Sequence, residues 1–314
     1  MRIGVLTNLR AGRVSPAALR AQQVMAQHRD ALHRETRSSL EVEAALSDFA
    51  TAGVELLVIN GGDGSLQRAL THILGSQTSE WRPLLAPLRA GRTNTSALSL
   101  GADRNPARGL TAILQAVRGG VVGERVHQRP VMRADLGSDG VQYGMFFGAG
   151  MLYAAINVTH EKFPDGRAQG HLGASLTTAA LVARTVLGRY GGVLSPEKVQ
   201  VAIDGEPVQP REFLMVMATT LDRLFLRMRP FWGIEEGPLR FTTVAARPRG
   251  LRNVMRMLRG RPPSRPDEGY ISHNVEKVVL GLDGGMTVDG ELFGPQPGRT
   301  VELSAEQRVS FVRG

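Results

Sequence analysis

The sequence predicts two domains, an α/β domain on a parallel sheet followed by an antiparallel β-sandwich domain. Three observations predict this. Apolar strand-like runs alternate with helical stretches through the first third of the chain, the pattern of a parallel sheet with helices on both faces. After about residue 127 the runs become short and β-rich, separated by turn signals such as Ser138-Asp139-Gly140, Asp204-Gly205 and Asp283-Gly284. Between a buried-strand run and a helical stretch lies the glycine cluster Asn60-Gly61-Gly62-Asp63-Gly64-Ser65.

Taken in order, Arg2–Thr7 is a short apolar strand that leads into a polar loop. Ser15-Pro16 pairs an N-cap with proline at the first helical position and opens a helix to about Arg34. Ser38 and Glu41 have the spacing of a capping box, and the helix they start stops near Gly53. Glu55–Asn60 is the buried strand, Leu66–Leu74 a helix, Leu84–Pro87 another strand and Arg108–Arg118 another helix. Strands are then expected at Val131–Leu136, Tyr143–Phe147, Val199–Ile203, Phe213–Thr219, Leu239–Ala245, Val275–Leu282 and Met286–Val288. Helices near Leu172–Leu187 and Leu251–Arg259 interrupt them.

The 314 residues suffice for two modest cores, and 42% hydrophobic with 21% charged residues is globular rather than disordered composition. With no cysteine, disulfides and thiolate metal sites are excluded. The opening residues carry no signal peptide, and the longest apolar stretch is broken by Ser175, Thr177, Thr178 and Arg184, so no transmembrane helix is expected. The net charge of +9 comes almost wholly from arginine, since the lysines are Lys162, Lys198 and Lys277. Such a charge suits nucleotide phosphate, an acidic bilayer or nucleic acid. No nucleic-acid module is recognisable, so nucleic acid is not expected as a partner.

Gly61–Ser65 is the sharpest chemical signal. Glycines let the backbone approach phosphate closely and leave N–H groups to bind it, and the helix that follows adds its dipole. The turn resembles the GGDG motif of the kinase superfamily that contains diacylglycerol and sphingosine-type lipid kinases, NAD kinases and phosphofructokinases. Three further segments resemble the diacylglycerol kinase catalytic-domain family. Asn8-Leu9-Arg10-Ala11-Gly12-Arg13 looks like its opening NPxSG loop, Gly91–Ala97 stands where it carries GTxNDxA, and Val288-Asp289-Gly290-Glu291 matches its DGE motif. The resemblance implies an NAD-kinase- and diacylglycerol-kinase-like fold with a nucleotide-binding domain at 1–127, joined by a returning segment at 299–314, and a β-sandwich substrate domain at 128–298.

It also implies an ATP-dependent lipid kinase acting on a hydroxyl of a diacylglycerol or a ceramide- or sphingoid-type lipid. ATP would lie across Gly61, Gly62, Asp63, Gly64 and Ser65, with Asn8, Arg13, Thr36, Gly91, Arg92, Thr93 and Asn94 around it. Glu291 is the candidate base at a domain cleft, with Asp289 as neighbour or alternate; a hairpin turn with a solvated Glu291 is the competing reading. Asp63 is expected to order Mg²⁺ through water, or else to cap a helix. Glu235 and Glu236 keep the charge of a metal site that many bacterial relatives have there. Arg92 and Thr95 depart from the family's Thr and Asp, and no counterpart of its strand aspartate is present near Gln128-Arg129. A catalytically silent nucleotide- or lipid-binding protein and a soluble-substrate kinase are the alternatives.

Leu221–Ile234 mixes arginines with apolar side chains, and Phe225, Arg227, Phe231 and Trp232 suit a lipid boundary, although the same pattern fits a core strand with solvated arginines. Leu251, Val254, Met255 and Leu258 form a stripe flanked by arginines, which fits either an anionic membrane surface or a core helix with a basic face. The expected setting is cytoplasmic with peripheral attachment to an anionic membrane. The oligomeric state stays open, with a homodimer among the options.

Overall fold

A computed structural model describes residues 1–10, 23–24, 31–76, 80–91, 93–162, 195–224, 228–245, 251–263 and 270–314. The chain divides into two compact units, Met1–Val131 with Arg308–Gly314, and Met132–Gln307. The sequence reading put these divisions at 127/128 and 298/299. The difference arises because two long strands, Val126–Asp135 and Arg299–Val312, run through the divisions instead of ending at them.

The first unit contains β1 (Ile3–Asn8), β2 (Leu32–Thr36), α1 (Ser39–Thr51), β3 (Leu56–Asn60), α2 (Asp63–Gly75), β4 (Leu84–Pro87), α3 (Thr95–Ser99) and α4 (Pro106–Arg118). The strands pair in parallel in the order β2-β1-β3-β4, and the end of the last strand of the chain joins β4 in parallel through Phe311 and Leu85. β3 is buried along its whole length, as expected of a parallel strand covered on both faces. On one face Val5, Leu56, Val58, Ala86 and Leu88 pack with Leu110, Ile113, Leu114 and Ala116 of α4. On the other, a side chain at Gly4 would stand 3.0 Å from Phe49 and Val54, so α1 lies against the sheet there. Truncating a core side chain such as Leu110 to alanine costs about 2–5 kcal/mol.

Local rules fix these helices. Ser38 Oγ accepts from Glu41 N–H at 3.2 Å, and Glu41 reaches back to Arg37 N–H at 2.7 Å, one residue beyond the N-cap N–H that completes a reciprocal box. Asn105 Oδ1 caps α4 by accepting from Ala107 and Arg108 N–H, with Pro106 at the first helical position. The helix expected to reach Arg34 cannot do so, because Leu32–Thr36 forms β2 beside β1. Residues 23–24 are helical, and the rest of that stretch lies outside the described residues.

The second unit is antiparallel. It contains the distal half of β5 (Val126–Asp135), then β6 (Val141–Gly144), β7 (Phe146–Gly150), α5 (Met151–Lys162), β8 (Glu197–Ile203), β9 (Glu206–Thr219), β10 (Leu239–Ala245), α6 (Leu251–Leu258), β11 (Ile271–Val275), β12 (Lys277–Leu282), β13 (Met286–Val288), β14 (Glu291–Phe293) and the first part of β15 (Arg299–Val312). β14-β13-β7-β9-β8-β12-β15 pair in that order, and β10 and β11 extend from β9. Alternate residues of these strands, among them Phe147, Phe213, Phe241, Leu280 and Leu303, close over one fully buried core, as in a sandwich. α5 follows Gly150, whose φ of +66° is left-handed. The helix expected at 172–187 lies outside the described residues.

Candidate functional site

In a parallel sheet the chain leaves each strand at its carboxyl end, and a crevice opens where successive connections run in opposite directions along the sheet. With the order β2-β1-β3-β4, that point lies between β1 and β3. β1 ends at Asn8 and β3 at Asn60, and the glycine turn follows directly. Asn8 Nδ2 donates to Ser65 Oγ at 2.9 Å across this crevice, while Asn8 Oδ1 accepts from Arg10 N–H at 2.9 Å. Leu9 N–H donates to Thr36 O at 2.9 Å, which bends the chain away from β1.

Gly62 is the N-cap of α2 and offers no side chain to the helix's first N–H groups. Two glycine requirements are steric. A Cβ on Gly61 would lie 2.5 Å from Ser65 Oγ, and a Cβ on Gly91 would lie 2.4 Å from Gly62 Cα. The turn at 61–65 and the loop at 91–96 therefore touch backbone to backbone. Asn94 fixes that loop from a left-handed conformation (φ 50°), its Oδ1 accepting from Gly91 N–H at 2.7 Å and its Nδ2 donating to Gly91 O at 2.8 Å. Asparagine tolerates this backbone better than most residues.

Asp63 joins the two segments. Its Oδ2 accepts from Thr93 Oγ1 at 2.7 Å and Thr95 N–H at 3.1 Å, and its Oδ1 from Ser96 N–H at 3.0 Å. Although it opens α2, it caps α3, the helix that follows Asn94. Of the carboxylate's roughly four acceptor positions, these bonds take three.

Beneath the turn lies a polar cluster that sequence reasoning missed. Thr7 Oγ1 is 2.9 Å from His33 Nε2 and accepts from Asn60 Nδ2 at 3.4 Å, while Thr36 Oγ1 donates to Thr7 O at 3.4 Å. Burial lowers the His33 pKa, with Glu35 acting in the opposite sense, which favours a neutral ring able to accept the Thr7 proton. Asn60 Oδ1 is buried without a partner among the described residues. The polar residues that end these otherwise apolar strands, Thr7 and Asn8 in β1 and Asn60 in β3, were the available signal.

In the second unit, Asp289-Gly290 forms a two-residue turn between β13 and β14, both residues having positive φ (48° and 92°), with Val288 opposite Glu291. Asp289 Oδ2 accepts from Met145 N–H at 2.8 Å, and its own N–H donates to Phe146 O at 2.9 Å. A side chain at Gly144 would reach 2.6 Å from that carboxylate. Asp289 thus anchors the hairpin, and Glu291, partly exposed at the start of β14, is the carboxylate presented beside it.

The structure brings Asn8, Gly61–Ser65, Gly91, Thr93 and Asn94 together; Thr36 adjoins them through the backbone. Arg13, Arg92, Phe225 and Arg227 lie outside the described residues. Glu235 is a loop clasp: Oε2 accepts from Ile234 and Asn274 N–H at 3.0 and 3.1 Å, and Oε1 meets His273 Nδ1 at 2.6 Å. Partial burial alone would raise its pKa, but the hydrogen bonds of Glu235 and Asn274 N–H and of His273 outweigh this and push it down to about 2. Glu236 is exposed, and no three metal-ligating side chains cluster among the described residues. Trp232 packs with the cluster around Val244 and Met257, so the indole serves as core. Met257 places the inner face of α6 in the same cluster, while Met255 is exposed. Among the described residues no helix is long and apolar enough to cross a membrane.

The diacylglycerol kinase catalytic domain family profile matches residues 2–123. No curated protein matches the chain. Among solved structures, a diacylglycerol kinase from Bacillus anthracis str. Sterne superposes with a TM-score of 0.67 at 17% identity, covering 100% of this chain and 97% of that one. An NAD kinase from Archaeoglobus fulgidus in complex with ATP gives 0.52 at 12% identity, over 99% and 93%. Yeast NADH kinase complexed with NADH gives 0.53 at 10% identity, over 100% and 84%. These similarities establish the fold over the full length, and residues 2–123 are similar to the diacylglycerol kinase catalytic domain.

Proposed function

We propose that the protein transfers the γ-phosphate of ATP to a hydroxyl group of a lipid, a diacylglycerol or a ceramide- or sphingoid-type acceptor. The observation that carries this reading is the glycine turn at the carboxyl ends of β1 and β3, with its helix N-terminus left uncapped by any side chain. Backbone N–H groups at such a terminus, together with the helix dipole, bind phosphate. Gly61, Gly62 and Gly64 keep side chains away from the bound phosphates, and Ser65 with Asn8 borders them.

Magnesium fits this arrangement in one form. Mg²⁺ usually keeps several waters and takes one or two carboxylates plus substrate phosphates. With three of its acceptor positions engaged, Asp63 retains capacity for a single water-mediated contact. When bound, the ion neutralises charge on the phosphates.

Glu291 is the proposed general base. The acceptor hydroxyl oxygen forms the new P–O bond while the bond from the γ-phosphorus to the bridging oxygen of ADP breaks, and the hydroxyl proton passes to the Glu291 carboxylate. The Asp289 carboxylate is held by Met145 N–H and suits the anchoring role better. Peripheral attachment to an anionic bilayer is part of the proposal, since a net charge of +9 favours it. Incubation with γ-labelled ATP and a total lipid extract tests the reading. Label in a phosphatidate, ceramide phosphate or long-chain-base phosphate supports it, and label that appears only in phosphorylated NAD when NAD is supplied alongside the lipid would replace it.

A further inference from the structure

Met145 stands between β6 and β7, just past the ladder pair of Phe146 with Thr219 of β9. It is fully buried, and its main chain is fixed on both sides. Its N–H donates to Asp289 Oδ2 at 2.8 Å. Its carbonyl accepts from Thr219 Oγ1 at 2.6 Å and from Thr220 N–H at 3.1 Å. Thr219 is also fully buried and uses its hydroxyl twice, since Oγ1 accepts from Leu221 N–H at 3.1 Å. Arg240 braces the chain that follows, with Nη1 donating to Leu221 O at 2.9 Å and Nη2 to Asp222 Oδ1 at 2.9 Å.

One buried hydroxyl thus ties the end of β9 to the residue on which the Asp289 carboxylate is anchored. The Thr220 N–H by itself satisfies the Met145 carbonyl, so the Thr219 bond is not needed to avoid a buried unpaired oxygen. What it adds is direction, because donors from two successive residues restrict how Met145 can turn. The hairpin beyond depends on that anchor. β14 is a three-residue edge strand paired with β13, and so short a hairpin has little stability of its own. Glu291 is its first residue after the turn.

We propose that Thr219 is a positioning residue for the Glu291 carboxylate, acting through Met145 and Asp289. This rests on the reading of Glu291 as the general base. A base must stay within hydrogen-bond reach of the acceptor hydroxyl, and a drift of about 1 Å can cost roughly 10²-fold in turnover.

Turnover of γ-labelled ATP with the total lipid extract tests the proposal in Thr219→Val and Thr219→Ser. Valine keeps the β-branched shape and removes the hydroxyl, whereas serine keeps the hydroxyl. Thr219→Val should lower kcat about tenfold or more with the KM for ATP unchanged, and Thr219→Ser should retain most of the wild-type rate. In a Glu291→Gln background, Thr219→Val should cost no further turnover, because the carboxylate it positions is gone. Asp289→Gly cuts the same path, tolerates the left-handed backbone there and keeps the test valid if the valine variant does not fold. It should show the same fall in kcat at constant KM. Normal kcat in Thr219→Val or Asp289→Gly, equal losses in the valine and serine variants, or a full further loss in the Glu291→Gln background would overturn the proposal alone. Absence of label from every lipid, or normal turnover in Glu291→Gln, would overturn the kinase or base reading and the proposal with it.

Discussion

Gly91→Ala probes the contact on which the phosphate site depends. The added Cβ would stand 2.4 Å from Gly62 Cα, 3.3 Å from Gly62 N and 3.1 Å from Asn94 Oδ1. Carbon atoms in good contact lie about 3.5–4.0 Å apart, so the loop must lift from the turn by about 1 Å. The first obstacle is backbone and cannot rotate away. Overpacking of this kind costs about 1–3 kcal/mol. If the lift also breaks the two Asn94–Gly91 bonds, about 0.5–1.5 kcal/mol is added for each. A displaced turn forfeits one or two N–H bonds to a charged phosphate, about 1.5–3 kcal/mol each, which corresponds to a loss of ATP affinity of about 10-fold to well over 100-fold. Calorimetric titration with ATP, beside a urea melt of the same sample, measures both effects. Gly123→Ala is the control, because a Cβ there meets nothing within 4 Å, and its stability should stay within about 0.5 kcal/mol of wild type. Wild-type affinity and stability in Gly91→Ala would refute the reasoning.

Four further variants probe the other residues. Asp63→Ala leaves Thr95 and Ser96 N–H without their acceptor and should lower stability by about 1.5–3 kcal/mol, together with ATP affinity; a melt unchanged from wild type would show that the carboxylate does not join the two segments. Glu291→Gln should bind ATP normally while turnover falls roughly 10²-fold, the scale of a lost general base, whereas Asp289→Asn keeps an acceptor for Met145 N–H and should turn over near normally. The opposite kinetic pattern would exchange their roles. Glu235, usually near 4.5 and here pushed down to about 2, has a depressed pKa, so its stabilisation is present above the unfolded value and is lost as pH falls from about 4.5 through about 2. The stability gap between wild type and Glu235→Gln should therefore close across that window, and a gap independent of pH would count against the clasp.

Much of the first unit was legible because its signals are local. Glu55–Asn60 is apolar enough to read as a buried strand, and Ser38 with Glu41 sets the start of α1. β2 was not legible, since Leu-His-Arg-Glu-Thr is a mostly polar edge strand that owes its form to pairing with β1. In the second unit β9 was expected only from Phe213, because its first half is largely polar and is held by β8. Val275–Leu282 was expected as one strand, but Glu276 separates β11 from β12, with its N–H and that of Lys277 donated to Asp204 Oδ1. At the site, the motif located the glycine turn, whereas the roles of its neighbours depended on folding. Nothing in the sequence placed Asp63 against Thr93–Ser96, and nothing joined Thr7, His33 and Asn60, which lie far apart in the chain and meet only through strand order.

The central claim is that phosphate is held where β1 and β3 end. Amide NMR of the intact protein titrated with ATP tests this most directly. The amides of Gly61, Gly62, Asp63, Gly64 and Ser65 are expected to shift saturably and together, with Gly91 and Asn94 following. Saturable binding that leaves those five amides unmoved while others shift would contradict it.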